Sequence, residues 1–430
     1  MDFASSTHKR DWIFTRESLE AARASVRQRS QESYQAAVQQ ERELAASSGK
    51  PDAVPEPQFL TDDDEFSLRV LLSKQIQKFC QQLALPPKVA MSACVLFHRF
   101  YARRSLYDYR GPDLAFTCMV VACKAEDCPA FSTHEIPFSL ERFGDRLGEL
   151  KVKCPPKKEL LRLEPAVLEA VGFSLMVYTP AHAVAALAHE AAQLVAQKGP
   201  VRGPDGKEVS GGELRKLLEQ AALGAAQQCL VTDAPLLHPP GTIALAALRS
   251  AFRSTKTPGF ESVLVHFARA SVESGGCRHG EAQPMQVTPV LRNSAPPPQP
   301  MSVDHNDPPG ASDTPRASED EVTAAAQRLR AAIDAIDALV VRAVAVLGRG
   351  ADARPTVDAK QLMSKYARCR NPLYDPSSKV YKQRQAKIKQ EKRAREKSKM
   401  DAAAEARRRN EDALLGFGDG STAGAKRPRQ

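Results

Sequence analysis

The chain has 430 residues, 42% of them apolar and 26% charged, which is enough for more than one folded unit and rules out a wholly disordered protein. Its 61 Lys and Arg stand against 51 Asp and Glu, a formal +10, but Lys379–Arg409 alone holds 13 basic and 4 acidic residues, so the excess is a basic tail on a nearly neutral body. No stretch approaches the ~18 uninterrupted apolar residues of a spanning helix, and Met1-Asp2-Phe3-Ala4-Ser5 lacks the apolar core of a signal peptide, so neither secretion nor a membrane partner is expected.

Aromatic residues are scarce while alanine and leucine are plentiful, which favours helices over sheets. From the start, Trp12, Phe14, Leu19 and Tyr34 punctuate a polar helical stretch that Thr15 caps and that runs to about Ala46. Too few positions there are apolar for it to fold alone, so it must dock on something. After the Pro-rich link Pro51 to Pro57, Thr61 caps a first turn of Asp62, Asp63, Asp64 and Glu65, where the helix dipole favours carboxylates. Leu68, Leu72, Ile76, Phe79 and Leu83 then recur at helical spacing. Pro86-Pro87 ends that helix and starts another, with Val89, Ala93, Leu96, Phe97 and Phe100 on one face. A turn at Arg110-Gly111-Pro112 opens a third, Leu114 to Cys123, that is apolar all round and must therefore be wrapped by neighbours. Further helices are predicted at Ser139–Leu150 and Lys157–Val171.

The pattern repeats more weakly at 181–196, 211–230, 241–253 and 259–272. Gly275–Ala317 is Pro-rich and aperiodic, which predicts a disordered linker. Ser318 with Glu321 reads as a capping box for a long amphipathic helix ended by Gly348, and a short helix is predicted at about 358–368. The basic tail has almost no apolar residue beyond Ile388 and Met400, so it is either a solvated helix or disordered.

Catalytic chemistry is not visible. Gly348-Arg349-Gly350 lacks the third glycine of a dinucleotide fingerprint, and Gly203 to Lys207 misses the phosphate-loop spacing. His182 and His189 are seven apart. Cys118, Cys123 and Cys128 are five apart rather than at metal-knuckle spacing. Core packing accounts for each, so neither a cofactor nor a metal is expected. Cys80, Cys94, Cys118, Cys123 and Cys229 lie in apolar runs, as reduced thiols of the cytosol or nucleus do.

One constellation points further. Leu68-Arg69-Val70-Leu71-Leu72 opens the first helix, Leu96-Phe97-His98-Arg99-Phe100 lies on the second, and Ala122-Cys123-Lys124-Ala125-Glu126 ends the third. In residues and order this resembles the cyclin box. Lys9 to Phe14, Ser105 to Tyr109, Thr117-Cys118 and Phe173-Ser174-Leu175 extend the likeness toward cyclins of the H type, the regulatory subunits of CDK-activating kinases. The likeness covers about 8–178 by residue and the second repeat by pattern. It implies an all-α protein of two tandem five-helix cyclin-box domains with extra terminal helices. The expected layout is an N-terminal helix and linker at 1–56, boxes at 57–177 and 178–273, a disordered linker at 274–317, a helical segment at 318–371 and the basic tail at 372–430.

The resemblance implies no active site. It implies instead a non-catalytic subunit that binds a cyclin-dependent kinase and activates it, together with an assembly factor and TFIIH, in the nucleus, acting on other kinases and on the RNA polymerase II tail. Lys124 and Glu164 match the charged pair that faces the kinase, although Pro165 disfavours helical geometry at Glu164. Trp12 and Phe14 are expected to dock on the first domain or its kinase, as is the 318–347 helix. His98 and Gln75 replace the Asp and Trp of cell-cycle cyclins, which favours the transcriptional branch. Another transcriptional cyclin of the elongation or Mediator kind is the nearest alternative. A DNA-binding factor of the TFIIB kind is the alternative of another class, disfavoured because no cysteine for a zinc ribbon occurs in the first 60 residues. Lys426, Arg427 and Arg429 read as a nuclear-import signal and Thr288 and Thr314 as proline-directed phosphorylation sites. A weak nucleic-acid contact is the remaining expectation for the tail.

Overall fold

The computed structural model describes residues 3–47, 56–132, 138–202, 208–273, 317–348 and 357–414. The expected disordered linker, Thr288, Thr314, Lys426, Arg427 and Arg429 lie outside them. Two compact units are distinguished. One comprises Met1–Glu32 with Gln58–Cys369, the other Ser33–Pro57 with Arg370–Gln430.

In the larger unit, α1 (Thr7–Trp12) and the first half of α2 (Arg16–Ala46) precede a set of five helices: α3 (Asp62–Gln82), α4 (Pro87–Arg103), α5 (Gly111–Ala125), α6 (Leu140–Glu149) and α7 (Lys157–Ala170). Thr61 accepts from the Asp64 N–H while the Asp64 carboxylate accepts from the Thr61 N–H, so the start of α3 is a reciprocal capping box. The all-apolar α5 is central, as its sequence demands, and touches α3, α4 and α7. Leu114, Cys118, Met119 and Ala122 on it are wholly buried.

The second set is α8 (Ala181–Ala196), α9 (Gly211–Cys229), a single turn α10 (Ala234–Leu237), α11 (Pro240–Ser254) and α12 (Phe260–Glu273). Its core is lined by alanines, among them Ala188, Ala191, Ala222, Ala226, Ala247 and Ala251, which let α9 lie close against α8 and α11. A two-stranded antiparallel ladder, β1 (Val201–Arg202) with β2 (Glu208–Val209), joins α8 to α9. Strands of two residues carry no periodicity, so the sequence predicts only a turn at Gly203-Pro204-Asp205-Gly206 and not the pairing on either side of it.

Helix α13 (Glu319–Leu347) begins at the predicted Ser318 capping box and stops at Gly348, whose φ of 63° is the left-handed cap glycine adopts without strain. It was expected against the first domain or its kinase. It lies instead along α11 and α12, with Ile333, Ile336 and Leu339 among Ile243, Leu245 and Leu264, and reaches the first set where Ala343 and Val346 meet Phe66 and Val70 and where Arg342 pairs with Asp63. Arg249, buried on α11, donates to Asp334 at 2.6 Å and Asp337 at 2.8 Å and fixes the register. An amphipathic stripe states that a face is buried, not what covers it. Helix α14 (Ala359–Arg368) is held by Tyr366, whose hydroxyl accepts the Gly111 N–H at 2.7 Å at the entrance to α5.

The smaller unit contains the second half of α2, a 3-10 turn at Pro372–Tyr374 and α15 (Lys379–Leu414). The Glu41 carboxylate accepts the backbone N–H groups of Lys379 and Val380, both at 2.9 Å, so a side chain of α2 caps the start of α15. Replacing Glu41 with alanine leaves those donors to water and should cost about 0.5–2 kcal/mol locally. Faster amide exchange in the first turn of α15 would register the loss, whereas unchanged exchange would deny the cap.

Candidate functional site

Lys124 sits in the last turn of α5, where a cation complements the helix dipole. The buried length of α5 anchors the turn, so the side chain leaves the core at a fixed point. Its Nζ donates to Glu164 Oε1 on α7 at 2.6 Å and stands 5.8 Å from the Phe138 ring centre. The two residues lie 40 apart in sequence and meet because α5 and α7 pack together. The side chain of Lys124 is 40% exposed and that of Glu164 19% exposed, so the pair is braced yet open to a partner.

Pro165 does not unwind this site. α7 runs unbroken through Glu164 and Pro165, because buried Leu160, Leu163 and Val167 hold the helix on both sides of the missing N–H. On the same outer face stands Leu161, one turn before Glu164 and exposed. Beyond the helix end the chain exposes Phe173 and Met176. Phe173 is 69% exposed and its φ is +55°, a left-handed conformation that costs an aromatic residue free energy.

Trp12 and Phe14 need correction as kinase contacts. Trp12 is 1% exposed, with the guanidinium carbons of Arg103 and Arg99 at 4.1 and 5.0 Å from its ring centre. Phe14 packs beside Leu19, Ala102 and Leu236, and its N–H donates to the Leu236 carbonyl at 2.7 Å. Both are taken up by this chain's own α4 and α10. They clamp α1 where α4 meets the turn α10, and any effect on a partner passes through that support.

Sequence reading missed Asp233, the centre of a buried charge network. Arg23 of α2 grips it with two bonds, at 2.7 and 2.8 Å, and Arg69 and His98 stand 3.7 Å away. Arg27 forks onto Glu65 at 3.1 Å through each arm and also pairs with Asp62. Burial raises the Asp233 carboxyl, but the Arg23 and Arg69 charges outweigh it and hold the group far below the usual carboxylate range. Thus the carboxylate beside Arg69 comes from the loop before α10, while His98, on α4, turns its other ring nitrogen to the Ser73 hydroxyl at 3.1 Å. The Asp-Ala-Pro run announces a turn, but no local pattern names partners 210 residues away.

Two buried histidines give this region a pH dependence. Burial, only partly offset by Asp233 and reinforced by Arg23 and Arg69, lowers His98 to about 4. Burial, and then Arg99, lowers His8 to about 3, and its Nδ1 accepts the Tyr178 N–H at 3.1 Å. Below their ordinary pKa of 6.5 the unfolded chain binds protons that the native one refuses, so stability is complete above that pH and falls as pH drops toward 4. Each contributes a loss of about 1.4 kcal/mol per pH unit in that window. Asp233 adds its own loss only at lower pH. Urea unfolding at pH 7 and pH 5 checks this, and equal stabilities would contradict it.

The cysteines are spent on packing. Cys80, Cys94, Cys118 and Cys123 are buried free thiols, and burial raises each above the ordinary thiol range, Cys94 to about 12. No helix among the described residues is long and apolar enough to cross a membrane.

Residues 41–176 match the family model described as the cyclin N-terminal domain. The chain is 28% identical over 264 residues to Cyclin-H1-1 of Arabidopsis thaliana, covering 58% of this chain and 70% of that one. It is 30% identical over 178 residues to Cyclin mcs2 of Schizosaccharomyces pombe, covering 41% of this chain and about half, 51%, of the relative. Among solved structures it resembles a chain of the CAK complex of Chaetomium thermophilum bound to ATP-gamma-S, with a TM-score of 0.55 and 18% identity over 90% of this chain and 94% of that one. At that identity the likeness is one of fold.

Proposed function

We infer that this chain is a member of the cyclin family, similar to its H-type members, and the regulatory subunit of a cyclin-dependent kinase. The carrying observation is the Lys124–Glu164 pair at 2.6 Å, raised on the last turn of α5 and the middle of α7 beside exposed Leu161. An ammonium with donors to spare suits backbone carbonyls, and a carboxylate suits backbone amides. Together they suit the loop that precedes a kinase C helix, and Leu161, Phe173 and Met176 offer apolar surface to the helix itself. Holding that helix inward lets its glutamate pair with the phosphate-orienting lysine, which phosphoryl transfer requires. Activation is then differential binding, because the subunit prefers one kinase state and shifts the population toward it.

The finer reading is that the kinase is the CDK-activating kinase, that an assembly factor joins the complex, and that it works in the nucleus with TFIIH on the RNA polymerase II tail. The identity to Cyclin-H1-1, which runs over 70% of that chain, supports this assignment over the elongation or Mediator branch. The chain itself is non-catalytic in this reading. Affinity purification followed by mass spectrometry tests it. A CDK-activating kinase recovered in equal proportion supports the assignment, and stoichiometric recovery of an elongation or Mediator kinase would overturn it.

A further inference from the structure

Helix α15 carries a charge pattern that the kinase reading does not use. From Lys379 to Lys399 it holds 10 basic and 2 acidic residues in 21 positions. Beyond Tyr381 its described side chains are almost all exposed, Ile388 and Met400 included. At about 100° per residue these cations point all round the axis, leaving no sector wider than about 80° without one. Nor is there an apolar stripe, so neither a lipid surface nor a partner helix has a face to bury. Lys387, Lys389, Arg393, Arg395, Lys397 and Lys399 make no ion pair among the described residues, and Lys392 reaches Glu396 only at 4.0 Å.

A protein surface would meet one side of such a rod and leave the rest of its charge in solvent. A groove walled by anions on both sides would meet nearly all of it. The major groove of B-form DNA is that shape: it admits an α-helix, and phosphates line both edges. The basic stretch is about 31 Å long, close to one helical turn of the duplex. The major groove of duplex RNA is too deep and narrow for the same fit. We propose that α15 is a sequence-independent DNA-binding helix that lies in the major groove and holds the duplex through its phosphates.

The test uses the full chain and a fluorescently labelled 25-base-pair DNA of arbitrary sequence, followed by anisotropy from 50 to 200 mM salt. Six to ten phosphate contacts should weaken binding by about 10³- to 10⁵-fold across that range. A variant with Lys387, Lys389, Lys392, Arg393, Arg395 and Lys397 all replaced by glutamine should lower the salt slope by about 5. Glutamine keeps helix propensity, and circular dichroism confirms that the variant remains helical. No measurable binding at 50 mM salt would overturn the proposal. So would a six-glutamine variant that binds as the parent does, an equally tight and salt-sensitive grip on duplex RNA, or displacement of the DNA by an equal charge of polyglutamate.

Discussion

Lys124→Ala is expected to stay folded and to lose its kinase. The side chain is partly exposed and its ion pair with Glu164 bridges two helices that bury far more surface elsewhere, so removal should cost well under about 1 kcal/mol of stability. At an interface the same truncation strips a desolvated hydrogen-bonding charge from the partner's backbone and leaves Glu164 uncompensated. Such losses cost about 2–5 kcal/mol, roughly 30- to 4,000-fold in affinity. Calorimetric binding beside a melting curve separates the two effects, and Glu164→Ala should behave alike. A folded Lys124→Ala variant with parental kinase affinity would remove the site while leaving the fold intact.

Asp233→Ala should do the opposite, damaging the fold without touching the outer face of α7. It would leave the buried guanidiniums of Arg23 and Arg69 short of their shared carboxylate and release α2 from the body of the larger unit. Breaking a buried pair by deleting one partner costs about 3–5 kcal/mol. Asp334→Ala removes an exposed partner of Arg249 and should cost under about 1 kcal/mol, because Asp337 still meets that arginine. Urea unfolding of both variants gives the comparison. A loss under 1 kcal/mol at Asp233 would mean that water or Glu65 replaces its charge.

What the sequence disclosed is what short-range physics writes into it. The capping boxes at Thr61 and Ser318, the proline start of α4 and the apolar run of α5 each carry a local signal, and each element begins where its signal lies. Lys124 stood out at the end of an all-apolar helix, where a surface charge alone would explain it, and its role came from the family likeness. Its partner Glu164 followed from the family likeness, and Pro165 argued against it, since a local propensity cannot see the buried leucines that keep α7 straight. Trp12 was rightly read as needing cover, but the two arginines of α4 that supply it lie 87 and 91 residues away. Asp233 was illegible for the same reason. A buried charge is recognised by its partners, and those come from α2, α3 and α4.

The most direct measurement is reconstitution. The purified chain, a recombinant CDK-activating kinase catalytic subunit and a peptide of the RNA polymerase II tail repeat are combined, and phosphate transfer is followed as the chain is titrated. The chain alone should turn over no ATP, and kinase activity should rise to saturation at one chain per kinase. Lys124→Ala should require at least about 30-fold more protein to reach the same plateau. Kinase activity indifferent to the chain, or nucleotide turnover by the chain alone that survives stringent purification, would contradict its assignment as a kinase-activating subunit.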